Sequence, residues 1–238
     1  MKTKEQIHLP GGNSQLNFTL ENVDLLGKTI LVIGAGSEFA VKLFLKNGAT
    51  KIELIVEDYD SLLNSRLALD QIESINPKMM DFEITDFNEN TFDVVYTQAS
   101  ISGSKRNRII KEIKRIIKND GILIVGEIVK LEKLVPQFVN DMFSDSDLDP
   151  LYTEDIKNYY FQRGWDVQEI INHSDRLNEY YSTNLDMLSK SLKELSDNEK
   201  SYYKKLINQI SHQSKAYLKQ GADRFIGFSI LKAIMNDR

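Results

Sequence analysis

Thr29-Ile30-Leu31-Val32-Ile33-Gly34-Ala35-Gly36-Ser37-Glu38 runs from five β-forming residues through a glycine turn into an acidic residue. A continuous apolar run of strand length that ends in glycine reads as a strand buried on both faces of a parallel sheet. A helix is expected over 38–46, with Asn47-Gly48 as its stop signal. Glycine has a physical role in such a turn. A side chain at Gly34 or Gly36 would fill the space through which a ligand approaches the backbone, while the helix N-terminus beyond favours a carboxylate or phosphate.

Working outward, 51–56 reads as a second strand that ends in the acidic residues Glu57, Asp58 and Asp60, and 62–75 as a helix stopped by Asn76-Pro77. Strands are expected at 82–85, 93–96 and 122–125, with a helix striped by Ile109, Ile110, Ile113, Ile116 and Ile117 between the last two. Alternating strands and helices imply right-handed crossovers and a mostly parallel sheet. After the acidic loop and the Asp149-Pro150 break, a helix capped by Thr153 and a strand over 165–171 are expected. Two amphipathic helices over 177–195 and 199–218 follow, then a final strand over 224–234 placed antiparallel at the far side of the sheet. The fold class is α/β: a doubly wound, mostly parallel seven-stranded sheet with an antiparallel last strand and a helical cap. A single domain over 1–238 is expected, its core at about 24–174 and 222–238 and its cap at about 175–221.

Composition sets the bounds. In 238 residues, 41% hydrophobic and 27% charged, there is enough apolar material for a full core. The absence of cysteine excludes disulfides, thiolate metal sites and a catalytic thiol. The polar start, Met1 to His8, carries no signal-like apolar run, and no segment has the length of a membrane span, so a cytoplasmic protein without a membrane partner is expected. A net charge of −5 gives no global field for nucleic acid. The basic residues Lys105, Arg106, Arg108, Lys111, Lys114, Arg115 and Lys118 read as the solvated face of the isoleucine-striped helix, and no nucleic-acid partner is expected.

The glycine turn sits where doubly wound sheets bind nucleotide-like ligands, and Glu57, about twenty residues on, can accept the two hydroxyls of a ribose. A dinucleotide would need a third glycine. Phe39 stands at that position, and Glu38 would repel a diphosphate while tolerating a sulfonium or an ammonium.

Several segments in this order resemble the class I, Rossmann-like S-adenosylmethionine-dependent methyltransferases. Val32 to Glu38 is similar to that family's first motif, Ile55-Val56-Glu57-Asp58 to its ribose-binding acidic motif, and Phe82-Glu83-Ile84-Thr85-Asp86-Phe87 to its third-strand segment. Phe92-Asp93-Val94-Val95-Tyr96-Thr97-Gln98 looks like the fourth strand, and 109–125 like the helix-turn-strand block that follows, with Lys118-Asn119-Asp120-Gly121 as its turn. The resemblance implies S-adenosyl-L-methionine as cofactor. It implies a cofactor site of Gly34, Ala35, Gly36, Ser37, Glu38, Glu57, Asp58, Asp86, Phe87, Thr97 and Gln98, with Asp86 on the adenine amino group and Phe87 on the ring. The chain departs from the family at Val32, where an acidic residue is usual, and at Ser37-Glu38. With no Pro-Pro-aromatic tetrapeptide after the fourth strand and no cysteine, the nucleic-acid amino-methylating and thiolate-dependent members are disfavoured.

The implied activity is methyl transfer to a small-molecule acceptor by in-line displacement, with the 177–218 helices as a cap over the acceptor or, alternatively, as a homodimer face. An NAD(P)-dependent oxidoreductase and a non-catalytic methyltransferase-like subunit are the competing readings. No catalytic residue and no metal ligand is singled out. His173 and His212 are the histidines near the cap, and the Leu9-Pro10-Gly11-Gly12 turn is expected either to fold over the cofactor or to be a loose arm.

Overall fold

The computed structural model describes residues 7–236; the polar stretch from Met1 to Gln6 and the last two residues of the expected core lie outside the described residues. The chain begins with helix α1 (Ser14–Asn22) and runs through β1 (Thr29–Ile33), α2 (Glu38–Lys46), β2 (Lys51–Val56), α3 (Tyr59–Ala68), β3 (Lys78–Met79) and β4 (Phe92–Gln98). Then come α4 (Arg106–Ile116), β5 (Ile117–Lys130), α5 (Gln137–Asp145), β6 (Leu151–Tyr152), α6 (Ile156–Phe161) and β7 (Trp165–Asn172). The cap is α7 (Arg176–Glu194), α8 (Asp197–Tyr202) and α9 (Lys204–Lys219), and β8 (Ile226–Met235) ends the fold.

The sheet order is β3-β2-β1-β4-β5-β8-β7, with the short β6 beside the end of β5. β1 to β5 are parallel, while β8 runs antiparallel to both β5 and β7. The last strand therefore does not lie at the edge, as its position in the sequence suggested. β5 offers nine consecutive residues to it, and β8 is buried over Ile226–Leu231 because it has neighbours on both sides. The order reverses between β1 and β4, so the ends of those strands open the crevice in which such sheets bind ligands.

Two apolar layers cover the faces. On one, Val32, Leu54, Tyr96 and Phe228 meet Phe44 of α2, Leu16 of α1 and Tyr217 of α9; on the other, Leu31, Val95 and Leu123 meet Ile109, Ile113 and Trp165. The isoleucine stripe of α4 is buried as its period requires. Its expected basic face is not simply solvated: Lys105, Arg106, Arg108, Arg115 and Lys118 each pair with a carboxylate.

Three other boundaries moved. α3 begins earlier than expected because the Asp58 carboxylate caps it, accepting from the Ser61 N–H at 2.8 Å, and it ends at Ala68. Residues 82–85 form a turn in which the Asp81 carboxylate accepts from the Glu83 N–H, and the third strand is the pair Lys78–Met79. The second cap helix breaks at Tyr203, where Ser196 and Glu199 have already closed a capping box for a separate short helix.

Asp93 ties the starts of three strands, accepting from the Thr29 N–H and from the Lys118 ammonium, both at 2.8 Å. Burial pushes its carboxyl up, but the Lys118 and Thr29 donors outweigh that and hold it below the ordinary range. A carboxyl lowered on folding contributes stability that is present above its unfolded pKa of about 4 and lost as pH falls through the folded value. Asp93→Asn should thus be less stable at pH 7 and lose less stability below about pH 5 than the parent. Urea unfolding at stepped pH checks this; identical acid slopes would show that Asp93 does not supply it.

Candidate active site

Gly34 ends β1 at φ +112, and its N–H donates to the Ile55 carbonyl at 2.9 Å, which fixes the turn against β2. A Cβ built there would lie 1.9 Å from Ser100 Oγ and 2.6 Å from Ser100 Cβ, so the two strand ends β1 and β4 approach as closely as glycine allows. Ala35 and Gly36 are exposed, whereas Ser37 is buried with a hydroxyl that has no partner among the described residues. The Glu38 carboxylate accepts from Ser65 Oγ at 2.5 Å, so α3 holds it in the first turn of α2, where the helix dipole favours it.

Glu57 leaves the end of β2 half-exposed, with the Lys105 ammonium 3.7 Å away; that ammonium also lies 3.3 Å from Glu83. Asp58 differs from its neighbour. Both of its oxygens are occupied by Ser61, whose hydroxyl and N–H hold its carboxyl below the ordinary value. Glu57, Met79, Met80, Asp81 and Lys105 line one open cavity of about 410 Å³. Asp86 does not border it; it is exposed in the loop before β4, and Phe87 packs edge-on to Phe92 at 4.9 Å beneath the Lys78 ammonium. Asp81, which the sequence reading did not single out, stands immediately beyond the third strand, where the strand-end rule places ligand-facing residues.

The fourth strand's end is committed to holding the N-terminal segment. Gln98 donates to the Pro10 and Gly12 carbonyls at 2.8 and 2.9 Å and accepts from the Tyr96 hydroxyl at 2.6 Å. The Thr97 carbonyl accepts from Gln15 at 2.8 Å, while its own hydroxyl is buried without a partner among the described residues. The Leu9-Pro10 turn is therefore docked, and Leu9 lies 3.1 Å from the Cβ position of Gly36.

Beyond that segment, a second cavity of about 280 Å³ lies between the ends of β4 and β5 and the cap. Tyr181 of α7 stacks on Tyr217 of α9, centroids 4.3 Å apart, and Gln213 donates to Ser146 Oγ at 2.7 Å, tying α9 to the loop after α5. Neither His173 nor His212 lines this cavity: His212 lines an outer groove with Ser144 and Lys205, and the His173 backbone N–H, just past the end of β7, donates to the Phe228 carbonyl. Among the described residues no cluster of His, Cys, Asp or Glu could hold a metal.

A family model described as a methyltransferase domain matches residues 31–125, the stretch from the first motif to the middle of β5. Over that stretch the chain matches a methyltransferase domain. No curated protein sequence matches it. Solved structures share the fold across nearly the whole chain. A protein described as a sarcosine dimethylglycine methyltransferase from Galdieria sulphuraria has 13% identity and a TM-score of 0.74, over 94% of this chain and 83% of its own. The [4+2]-cyclase SpnF has 17% identity and a TM-score of 0.74, over 94% and 80%. Phosphoethanolamine N-methyltransferase 2 of Haemonchus contortus, in complex with S-adenosyl-L-methionine, has 18% identity and a TM-score of 0.76, over 96% of this chain and 54% of that one. The recognition drawn from the sequence holds: the methyltransferase domain is of the S-adenosylmethionine-dependent class, and the dehydrogenase and non-catalytic readings find no support.

The donor set of the first cavity suits that cofactor. Two carboxylates can accept ribose hydroxyls and an adenine amino group, and two methionines offer apolar, polarisable cover for a ring. The same carboxylates would repel a diphosphate.

Proposed function

We propose that the protein methylates a small-molecule acceptor held in the cavity between the cap and the ends of β4 and β5. The observation that carries this reading is a run of cavities along the strand ends: the one bordered by Glu57 and Asp81 shares Glu57 and Lys105 with a middle cavity of about 220 Å³, and that one meets the cavity beneath the cap at Ala99-Ser100. When bound, S-adenosylmethionine supplies a methyl group on a sulfonium, a good leaving group, to an acceptor aligned for in-line displacement. The protein's part is positioning and exclusion of water. Glu57 accepts from the ribose, Asp81 takes the adenine contact that the sequence reading gave to Asp86, and the Gly34 to Ser37 turn receives the methionine portion. Leu9, Tyr180 and Tyr181 close the acceptor side. A cytoplasmic location accords with a chain without cysteine in which no described helix is long and apolar enough to cross a membrane. The outer faces of α7 and α9 are the surface that a homodimer would use.

Glu57→Ala and Asp81→Asn should each weaken S-adenosylhomocysteine binding by about 1–3 kcal/mol, since each removes a charged acceptor. Asp86→Asn should bind as the parent does. Calorimetric titration of the three variants ranks them; a loss confined to Asp86→Asn would return the adenine contact to Asp86.

A further inference from the structure

We infer that the acceptor is an uncharged, one- or two-ring molecule bearing neutral hydroxyl or carbonyl groups, and that it brings a nucleophile which needs no base from the protein. The inference rests on the assignment of the cavity beneath the cap to the acceptor. No Asp, Glu, Lys, Arg or His side chain lines that cavity. The nearest charges lie beyond its walls: His8, Arg176 and Glu179 line a pocket on the far side of Leu9, and Asp147, Glu57 and Lys105 line the one beyond Ser100. An ionised acceptor would give up its hydration and find no counter-charge among the side chains that line the cavity. A diphosphate would in addition find no carboxylates to hold a divalent cation.

What the cavity does offer is neutral. Tyr180, Tyr181, Ser214 and Asn184 line it, and their hydroxyls and amide make no side-chain hydrogen bond among the described residues. Gln98 and Gln213 line it too, but their amide nitrogens are already spent on neighbours. Apolar walls come from Leu9, Ile128, Leu148 and Ile210. The volume is about 280 Å³. An engineered cavity of about 150 Å³ accepts a benzene ring, so one or two rings match. Only tyrosines could titrate here, and burial pushes the Tyr181 phenol well above its ordinary value, so neither it nor an amide can take a proton at neutral pH.

The test is calorimetry on the protein, first with S-adenosylhomocysteine and then, on the loaded protein, with three phenolic probes of similar size: neutral 4-hydroxybenzamide, anionic 4-hydroxybenzoate and cationic tyramine. Failure of the first titration defeats the cofactor reading itself and is seen separately. In loaded protein the benzamide should bind and each charged probe should bind about a hundredfold more weakly. Ser214→Phe, which fills the cavity, should abolish benzamide binding. Asn184→Asp, a surface-compatible change that adds a carboxylate, should shift preference toward tyramine. Equal or tighter binding of a charged probe to the parent, no binding of the benzamide to loaded protein, or benzamide binding unaffected by both substitutions would overturn the inference.

Discussion

Arg106→Met is expected to cost about 3–5 kcal/mol of stability, because it leaves a carboxylate buried without its counter-charge. Glu127 is fully buried near the C-terminal end of β5, and Arg106, 3% exposed, brings Nε to 2.9 Å from its Oε1. Burial would push the guanidinium down, but the facing carboxylate outweighs it and Arg106 stays charged. The Tyr160 hydroxyl and the Ser102 hydroxyl both donate to the Glu127 carboxylate, at 2.7 and 2.6 Å, while Arg106 also donates to the Asp149 carbonyl at 2.7 Å. One buried carboxylate thus joins β5, the loop after β4, the start of α4 and α6, and it fixes Ser102 in the loop that lines the cavity beyond Ser100. Arg106→Met combined with Glu127→Gln should recover much of the loss, since the amide keeps an acceptor for the hydroxyls without a buried charge. Urea unfolding of both variants measures it; equal losses in the single and double variants would show that the charge is not the cause.

Gly34→Val should cost about 3 kcal/mol or more and abolish cofactor binding as well. At φ +112 a β-branched residue is strained, and its Cβ would overlap both Cβ and Oγ of Ser100, an overlap that rotation of the serine hydroxyl cannot relieve. Ser100→Gly in the same chain should return part of the stability but not the backbone strain. Thermal unfolding and S-adenosylhomocysteine titration of the two variants separate these effects. A Gly34→Val protein of parental stability would show that the turn can relax.

The sheet was legible because buried parallel strands are continuous apolar runs, and β2 and the helix after the glycine turn fall on the expected residues. The strand expected at 82–85 is absent: Phe82 is buried, but Ile84 is 78% exposed in a turn, and the third strand is too short to carry a pattern. With the strand at Lys78–Met79, the residues just beyond its end are Met80 and Asp81.

Other features depend on partners distant in sequence. Nothing local marks Arg106 as buried among solvated lysines, because its partner Glu127 lies on another strand. Gln98 looks like a ligand-facing strand end, yet its amide is consumed by carbonyls more than eighty residues earlier. Asp58 and Glu57 cannot be told apart until Ser61 is seen to occupy both oxygens of one of them.

Calorimetric titration of the unmodified protein with S-adenosylhomocysteine and, separately, with NADH tests the central claim most directly. The account predicts saturable binding of S-adenosylhomocysteine at one site and none of NADH, whose diphosphate would meet Glu57 and Asp81 without a third glycine to receive it. Binding of NADH with no heat from S-adenosylhomocysteine would contradict it.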